Sequence, residues 1–257
     1  FALCALSATA ALCDEAAPTV CVSITDDTGA LVLAYVPVAL TDADGDGALT
    51  ICDALMLAHA AHHPEGAAAF LAEQSEWGLS LYKLWGVENG GSYGYYKNNA
   101  SAMSLSDTVA EGDYITAYVF SDLTAWSDVY SWFDMDSAEL DTGAEMALTL
   151  CYAGYDADWN PVTLFASDAV ITINGEKTSF TTDAQGKAEI KFDKAGEYIV
   201  SAVSDTQILV PPVCKVIVSD SSDSKTTAPA TGNSTNGLVA VTAIAFVAAI
   251  LAKKNEK

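Results

Sequence analysis

The sequence predicts an α+β chain of two domains, a first domain with one main helix and a second that is an all-β sandwich. Three observations support this class. Alternating apolar and polar residues mark strands in residues 18–136, and an Asp-rich loop followed by an apolar helical segment interrupts them. Residues 137–218 contain short alternating runs separated by turn residues. Flanking them, we expect a signal peptide remnant over 1–17, a polar linker over 219–236, and a hydrophobic anchor helix with a basic tail over 237–257.

The first domain begins with two predicted strands, 20–25 and 31–40, the second of which contains a proline. A helix is expected from about residue 53 to residue 61, because its apolar residues recur at helical spacing. Further on, the pattern predicts another helical turn over 67–73, an aromatic strand over 93–99, a turn-helix over 105–115 and a strand over 115–120.

The most specific stretch is the loop 42–53, which has carboxylates at its first, third, fifth and twelfth places. Gly47 at the sixth place permits the sharp turn that such a loop needs around an ion, and the seventh place supplies a backbone carbonyl. Oxygen ligands in this spacing suit Ca²⁺. The expected cofactor is therefore Ca²⁺, and the expected ligands are Asp42, Asp44, Asp46, Ala48 and Asp53.

This loop resembles an EF-hand loop, and more closely the dockerin version, which ends in Asp rather than Glu. The chain departs from those families in having one loop instead of two, and a strand instead of a helix before the loop. The alternative interpretation is an Asp/Gly-rich turn that binds no ion.

A second resemblance covers roughly residues 21–134. Its motifs are Asp53-Ala54-Leu55, then Leu84-Trp85-Gly86, then Tyr95-Tyr96-Lys97-Asn98-Asn99, then Glu111-Gly112-Asp113-Tyr114-Ile115. This order is similar to the domain at the C-terminus of transcobalamin and in many bacterial surface proteins. The resemblance implies a β-grasp-like fold related to soluble-ligand-binding domains, but it does not identify the ligand.

In the second domain, the segment from Thr181 to Tyr198 resembles bacterial immunoglobulin-like surface repeats. That resemblance implies an Ig-like sandwich that acts as a spacer between the cell wall and other domains.

The C-terminal segment resembles a Gram-positive cell-wall sorting signal. The motif 228–232 contains Pro229, Thr231 and Gly232, with Ala228 where Leu is usual, and an apolar run and a lysine-rich end follow it. The resemblance implies that a sortase cleaves between Thr231 and Gly232. A membrane-anchored tail is the alternative, although its apolar run is shorter than the ~20 residues of a full span.

Charge and cysteine content limit the partners. The chain of 257 residues has 34 acidic and 11 basic residues, and its formal charge of −23 disfavours nucleic acid and anionic lipid surfaces. Four cysteines lie outside the signal remnant; the pairs Cys21–Cys52 and Cys151–Cys214 and buried free thiols all remain open.

Other candidate sites are weaker. Among the many aromatic residues of the first domain, Tyr93 and Trp126 are the candidates for stacking on a glycan or planar ligand. His59, His62 and His63 could share a helix face, but without the H-E-x-x-H pattern they are expected to be solvated. No catalytic motif is present, so we expect no enzymatic activity.

Together these observations predict a non-enzymatic, calcium-binding, ligand-binding or adhesion-type module displayed on the surface of a Gram-positive bacterium. The ligand would be a small molecule, a glycan or a surface protein, and sortase and the cell wall or membrane would be further partners. Two alternatives are a dockerin-like assembly module and a fragment of a hydrolase.

Overall fold

The computed structural model describes residues 16–76 and 78–220. Most of the predicted signal remnant, the sorting motif 228–232 and the anchor segment 237–257 lie outside the described residues. Among the residues that are described, no helix is long and apolar enough to cross a membrane.

The first half of the chain forms one mixed sheet, a separate hairpin and a helix. Pro37 is accommodated because its strand, Leu31–Ala39, lies at an edge of the sheet. In chain order, the elements are β1 (Thr19–Thr25), β2 (Leu31–Ala39), α1 (Ile51–His62), a 3₁₀ turn (Gly66–Ala69), β3 (Leu71–Ser75), β4 (Gly78–Lys83), β5 (Tyr93–Lys97), β6 (Ala100–Ser101) and β7 (Tyr114–Val119).

This sheet has the order β2-β1-β7-β5-β6, with β1 antiparallel to β2 and parallel to β7 at its centre. Alternate residues of β1 and β7, such as Val22 and Ile115, face α1 and pack against its buried residues Ile51 and Leu55. The helix therefore covers one face of the sheet and joins it in a single core.

The second half of the chain is entirely β. Its elements are β8 (Asp128–Phe133), β9 (Ser137–Asp141), β10 (Glu145–Tyr155), β11 (Pro161–Phe165), β12 (Val170–Ile173), β13 (Glu176–Thr181), β14 (Lys187–Lys191), β15 (Gly196–Val203), β16 (Ile208–Val210) and β17 (Cys214–Ser219).

These strands form two sheets that face each other across one core. The first sheet has the order β11-β10-β8-β16, with β14 also paired to β10, and the second has the order β13-β12-β15-β17-β9. Leu148 and Leu150 from the first sheet and Val200 and Val216 from the second lie in the same buried cluster. The predicted all-β sandwich is therefore confirmed by its own sheets.

The strand β8 lies within the range 18–136 that the sequence assigns to the first domain, yet it pairs with β10 and β16 of the sandwich. The Tyr130 ring on β8 stacks on the Tyr96 ring of β5, with ring centroids 3.5 Å apart and planes inclined by 7°. Its hydroxyl donates a hydrogen bond to Asn99 Oδ1. The sandwich thus covers the face of the first sheet that α1 leaves open.

The predicted fold class is wrong. The sequence indicates an α+β chain with a β-grasp-like first domain and an anchor helix, whereas the described chain is mostly β, with 50% of residues in strands and 8% in helices. Residues 71–75, where a helical turn was expected to end, form the strand β3, which pairs with β4 in a hairpin, and residues 105–113 contain no helix. Because these backbone groups bond to neighbouring segments, local helical spacing does not decide their structure.

Candidate metal centre

The loop 42–53 connects β2 to α1. Its turns depend on Gly45 and Gly47, whose φ values of +78° and +89° lie in the left-handed region that other residues rarely adopt. The loop bends twice within a few residues and brings alternate side chains to one side.

The three carboxylates of Asp42, Asp44 and Asp46 lie together on this exposed loop. Each offers an oxygen atom, and these atoms lie within 4.8 Å of one another. Calcium binds oxygen at about 2.3–2.6 Å, so ligands on opposite sides of one ion are separated by about twice that distance. The spacing of the three oxygens therefore fits a shared calcium ion.

Backbone amides hold these side chains in place. The Asp42 carboxylate accepts hydrogen bonds from the amides of Gly45, Asp46 and Gly47, at 2.8–3.1 Å. One Asp44 oxygen accepts from the Asp46 amide, and one Asp46 oxygen accepts from the Ala48 amide. Asp44 and Asp46 each keep a second oxygen with no backbone partner in the described chain. The cluster is thus oriented by its own loop while acceptor capacity remains for a cation.

Asp53, the predicted twelfth-place ligand, has a different environment, because it is fully buried at the start of α1. Its Oδ2 accepts from both the amide and the hydroxyl of Thr50, and the Thr50 hydroxyl accepts in turn from the Asp53 amide. Its Oδ1 accepts from the amides of Ala43 and Asp44. These four bonds use the four lone-pair positions of the carboxylate. In this conformation Asp53 joins the loop to the helix and does not belong to the acidic cluster.

The spacing Thr50-x-x-Asp53 is the signature of a capping box, with Asp in the place of the more frequent Glu. Asp53 was predicted only as a calcium ligand, although the Thr50-x-x-Asp53 signal of a helix cap is present in the sequence.

The remaining predicted ligand is the Ala48 carbonyl. Ala48 is half-buried, and its carbonyl oxygen accepts no hydrogen bond from the residues that the structure describes. The neighbouring Cys52 thiol, by contrast, is an unsuitable metal ligand. Burial first, and then the charges of Asp44 and Asp53, raise its pKa to about 12. Cys52 therefore stays protonated beside the cluster.

No cation balances the acidic loop within the described chain. The four ion pairs among residues 16–76 and 78–220 join lysines to other acidic groups. In the sequence, no lysine occurs between Asp14 and Tyr82. The three clustered carboxylates repel one another, and a divalent cation would relieve that repulsion.

The histidines of α1 do not form a metal site, and the expectation that they are solvated is wrong for His59. His59 is fully buried; its Nδ1 donates to the Leu55 carbonyl at 2.6 Å, and its Nε2 accepts from the Trp85 amide at 2.9 Å. The His63 ring packs edge-on against Trp85. Both nitrogens of His59 therefore have hydrogen-bond partners: Nδ1 bonds within α1, and Nε2 holds the segment after β4 against the helix.

The two predicted stacking residues have different environments. The Tyr93 hydroxyl donates toward the carbonyls of Tyr82 and Val87, and its ring packs against the first core. Trp126 is 54% exposed and touches Phe120, with ring centroids 5.3 Å apart. Tyr93 therefore stabilises a turn, and of the two only Trp126 presents a free ring surface. Trp159, which is not among the predicted stacking residues, is 81% exposed in the β10–β11 turn.

All four cysteines in the described chain are free. Cys21 lies on β1 between the core residues Val20 and Val22, so its side chain points away from α1, which carries Cys52. Likewise, Cys151 follows the core residue Leu150 and points out of the sandwich core that contains Cys214. Each candidate pair is thus separated by a sheet.

Comparisons with known proteins do not place the chain in a family: no family model and no curated protein matches it. Solved structures with detectable similarity include the four N-terminal Ig domains of Dscam1 isoform 4.44, at 12% identity and a TM-score of 0.23, covering 58% of this chain and 32% of that one. Another is the Ig1-2 module of the Drosophila receptor protein tyrosine phosphatase DLAR, at 12% identity, 59% and 76% coverage, and a TM-score of 0.24.

A chimeric titin Z1Z2 is also similar, at 10% identity, 62% and 78% coverage, and a TM-score of 0.23. The chain spans about a third of the Dscam1 chain. TM-scores this low do not establish a shared fold; the sandwich is defined by its own strand pairing and core.

Proposed function

We propose that this protein is a non-enzymatic, calcium-stabilised binding module of the adhesion type, displayed on the surface of a Gram-positive cell. The observation that carries the calcium part is the clustering of Asp42, Asp44 and Asp46, whose oxygens have the mutual spacing of ligands around one ion. The surface location is supported by the sorting-type motif 228–232 in the sequence, which lies outside the described residues.

In this proposal the ion has a structural role. Calcium held by the three clustered aspartates and the Ala48 carbonyl would cancel the repulsion within the loop. One Asp53 carboxylate oxygen accepts from the loop amides of Ala43 and Asp44, and Asp53 also takes part in the cap of α1. A rigid loop therefore also fixes the start of the helix. The helix in turn covers the first sheet. Calcium binding should therefore stabilise the whole first core. The dockerin alternative is not proposed, because the sequence contains one such loop.

The test is a calorimetric calcium titration of the full chain, paired with thermal melts in calcium and in chelator. Ligand binding to the native state at about 100 times the dissociation constant stabilises it by about 2.7 kcal/mol, which raises the melting temperature by several degrees. Asp42→Asn should abolish this shift. Asp183→Asn is the matched control, because Asp183 also accepts backbone hydrogen bonds in an exposed turn but lies in the sandwich, before β14. Absence of both heat and a melting shift in the wild-type chain would reduce the acidic cluster to a surface turn.

A further inference from the structure

A groove of about 390 Å³ lies at one end of the sandwich. One wall is formed by Ser127 and Val129 at the beginning of β8, and the other by residues 204–208, which connect β15 to β16. The two walls are joined by the parallel pairing of β8 with β16. The groove is therefore an open depression at the sheet edge.

The polar groups of the groove are mostly uncharged. Ser127, Ser204 and Thr206 contribute hydroxyls, and the Ser204 and Thr206 hydroxyls are 3.1 Å apart. Gln207 is half-buried, and its carboxamide makes no hydrogen bond with any residue that the structure describes. A half-buried amide has two donors and one acceptor to satisfy. A ligand that both donates and accepts hydrogen bonds would match this lining.

The charge of the groove disfavours ionic ligands. Its single charged residue, Asp205, lies 3.9 Å from Lys177 in an exposed pair. No basic side chain lines the groove, and the chain carries a formal charge of −23, so phosphates, uronates and nucleic acids would be repelled. One partly compensated carboxylate is also a poor site for a metal ion.

Apolar surface lies next to these polar groups. Val129 and Ile208 form part of the walls, and Ile208 is 42% exposed. Trp126 immediately precedes Ser127 and is 54% exposed, with a φ of +55° that is unfavourable for a bulky side chain. Its ring packs on Phe120, and Trp126 is not part of the groove lining. Val129 and Ile208 therefore supply the apolar surface that a ligand in the groove would contact.

We propose that this groove binds a neutral carbohydrate, with the C–H face of a pyranose ring against Val129 and Ile208 and its hydroxyls on Gln207 and the serine and threonine hydroxyls. Sugars combine the required features, since each hydroxyl donates and accepts while the ring C–H groups form an apolar face. The inference depends on the proposed role as a binding module and names its ligand class, but it does not depend on the calcium loop.

The experiment is saturation-transfer NMR and calorimetry on the full chain. The probes are glucose, galactose, mannose and N-acetylglucosamine as methyl glycosides, with glucuronate and glucosamine as charged counterparts. Gln207→Ala should weaken binding of the preferred neutral sugar about tenfold, because it removes hydrogen bonds to the ligand. Gln185→Ala, an exposed glutamine in the turn before β14, is the matched control and should change nothing.

A second pair tests the apolar contact. Ile208→Ala should weaken binding, whereas Ile217→Ala, which truncates a similarly exposed isoleucine on β17 outside the groove, should leave it unchanged. The inference is overturned if no neutral sugar binds, if a charged counterpart binds more tightly, or if Gln207→Ala binds as well as the wild type. Repeating the sugar titrations in chelator separates this inference from the calcium proposal. If calcium has no effect on the protein and the sugar still binds, only the calcium part of the proposed function is contradicted.

Discussion

Lowering the pH from about 7 to about 5 is expected to destabilise the fold through one buried imidazole, that of His59. Burial lowers the pKa of His59 from its ordinary value of 6.5 to about 4, and the nearby His63 acts in the same direction. The hydrogen bond to the Leu55 carbonyl opposes this shift but is outweighed. Because Nε2 accepts from the Trp85 amide, a proton on Nε2 would also break that bond.

The sign follows from proton linkage. The unfolded chain binds a proton at His59 below about pH 6.5, whereas the folded chain resists protonation until about pH 4. The contribution of His59 to the free energy of unfolding is therefore complete above pH 6.5 and is lost as the pH falls toward 4. The two pKa values give a loss of about 2 kcal/mol at pH 5 and about 3 kcal/mol at pH 4.

The assay is urea denaturation of the full chain at pH 7 and pH 5. Many carboxylates also titrate in this range, so the informative quantity is the difference between variants. His59→Gln keeps an acceptor for the Trp85 amide but cannot be protonated. Between pH 7 and pH 5, its free energy of unfolding should therefore fall by about 2 kcal/mol less than that of the wild type. His62→Gln is the control, because His62 is only half-buried and makes no comparable hydrogen bonds in the described chain.

Equal losses for wild type and His59→Gln would refute this reasoning. So would a His62→Gln variant that removes the pH dependence as completely as His59→Gln does.

Two further predictions concern packing and the start of the helix. A methyl group at Gly94 would overlap the buried ring of Tyr118, so Gly94→Ala should lower the free energy of unfolding by about 1–3 kcal/mol in urea melts. Gly154→Ala, whose methyl group would meet the end of a partly exposed leucine, should cost clearly less; an equal cost would contradict this account. In chelator, Asp53→Asn should destabilise the fold by about 1–3 kcal/mol. The N–H₂ group of asparagine would face either the Thr50 donors or the loop amides, and these buried donors would lose their acceptor. Asp42→Asn should cost less in chelator, because Asp42 is exposed and water can bond to the loop amides that its carboxylate accepts from; a larger loss there than at Asp53 would show that the capping role is misplaced.

The sequence predicts those features that depend on local patterns. Alternation in residues 137–218 correctly indicated strands, since each strand of a sandwich has one face in the core and one in solvent. The spacing of Asp42, Asp44 and Asp46 indicated that their side chains converge, because glycines at fixed places determine the turn of so short a loop.

The tertiary structure decided which partners these elements meet. Nothing local indicates that β8 joins the sandwich, where the Ser131 hydroxyl bonds to the Val210 carbonyl 79 positions away. Cys21 and Cys52 are separated because the two faces of β1 pack against different layers, which a cysteine count cannot reveal.

His59 and Asp53 also show the difference between local pattern and tertiary contact. Both are polar residues in recognisable local patterns, yet each is buried in the fold with its hydrogen-bonding atoms satisfied. By itself the sequence determined where the strands of the sandwich, the acidic loop and the helix lie, because backbone preference and side-chain alternation act over a few residues. Only the tertiary structure decided that the chain is mostly β, that Asp53 caps the helix, and that Ser127 and Val129 meet residues 204–208 across a groove, because these depend on contacts between distant segments.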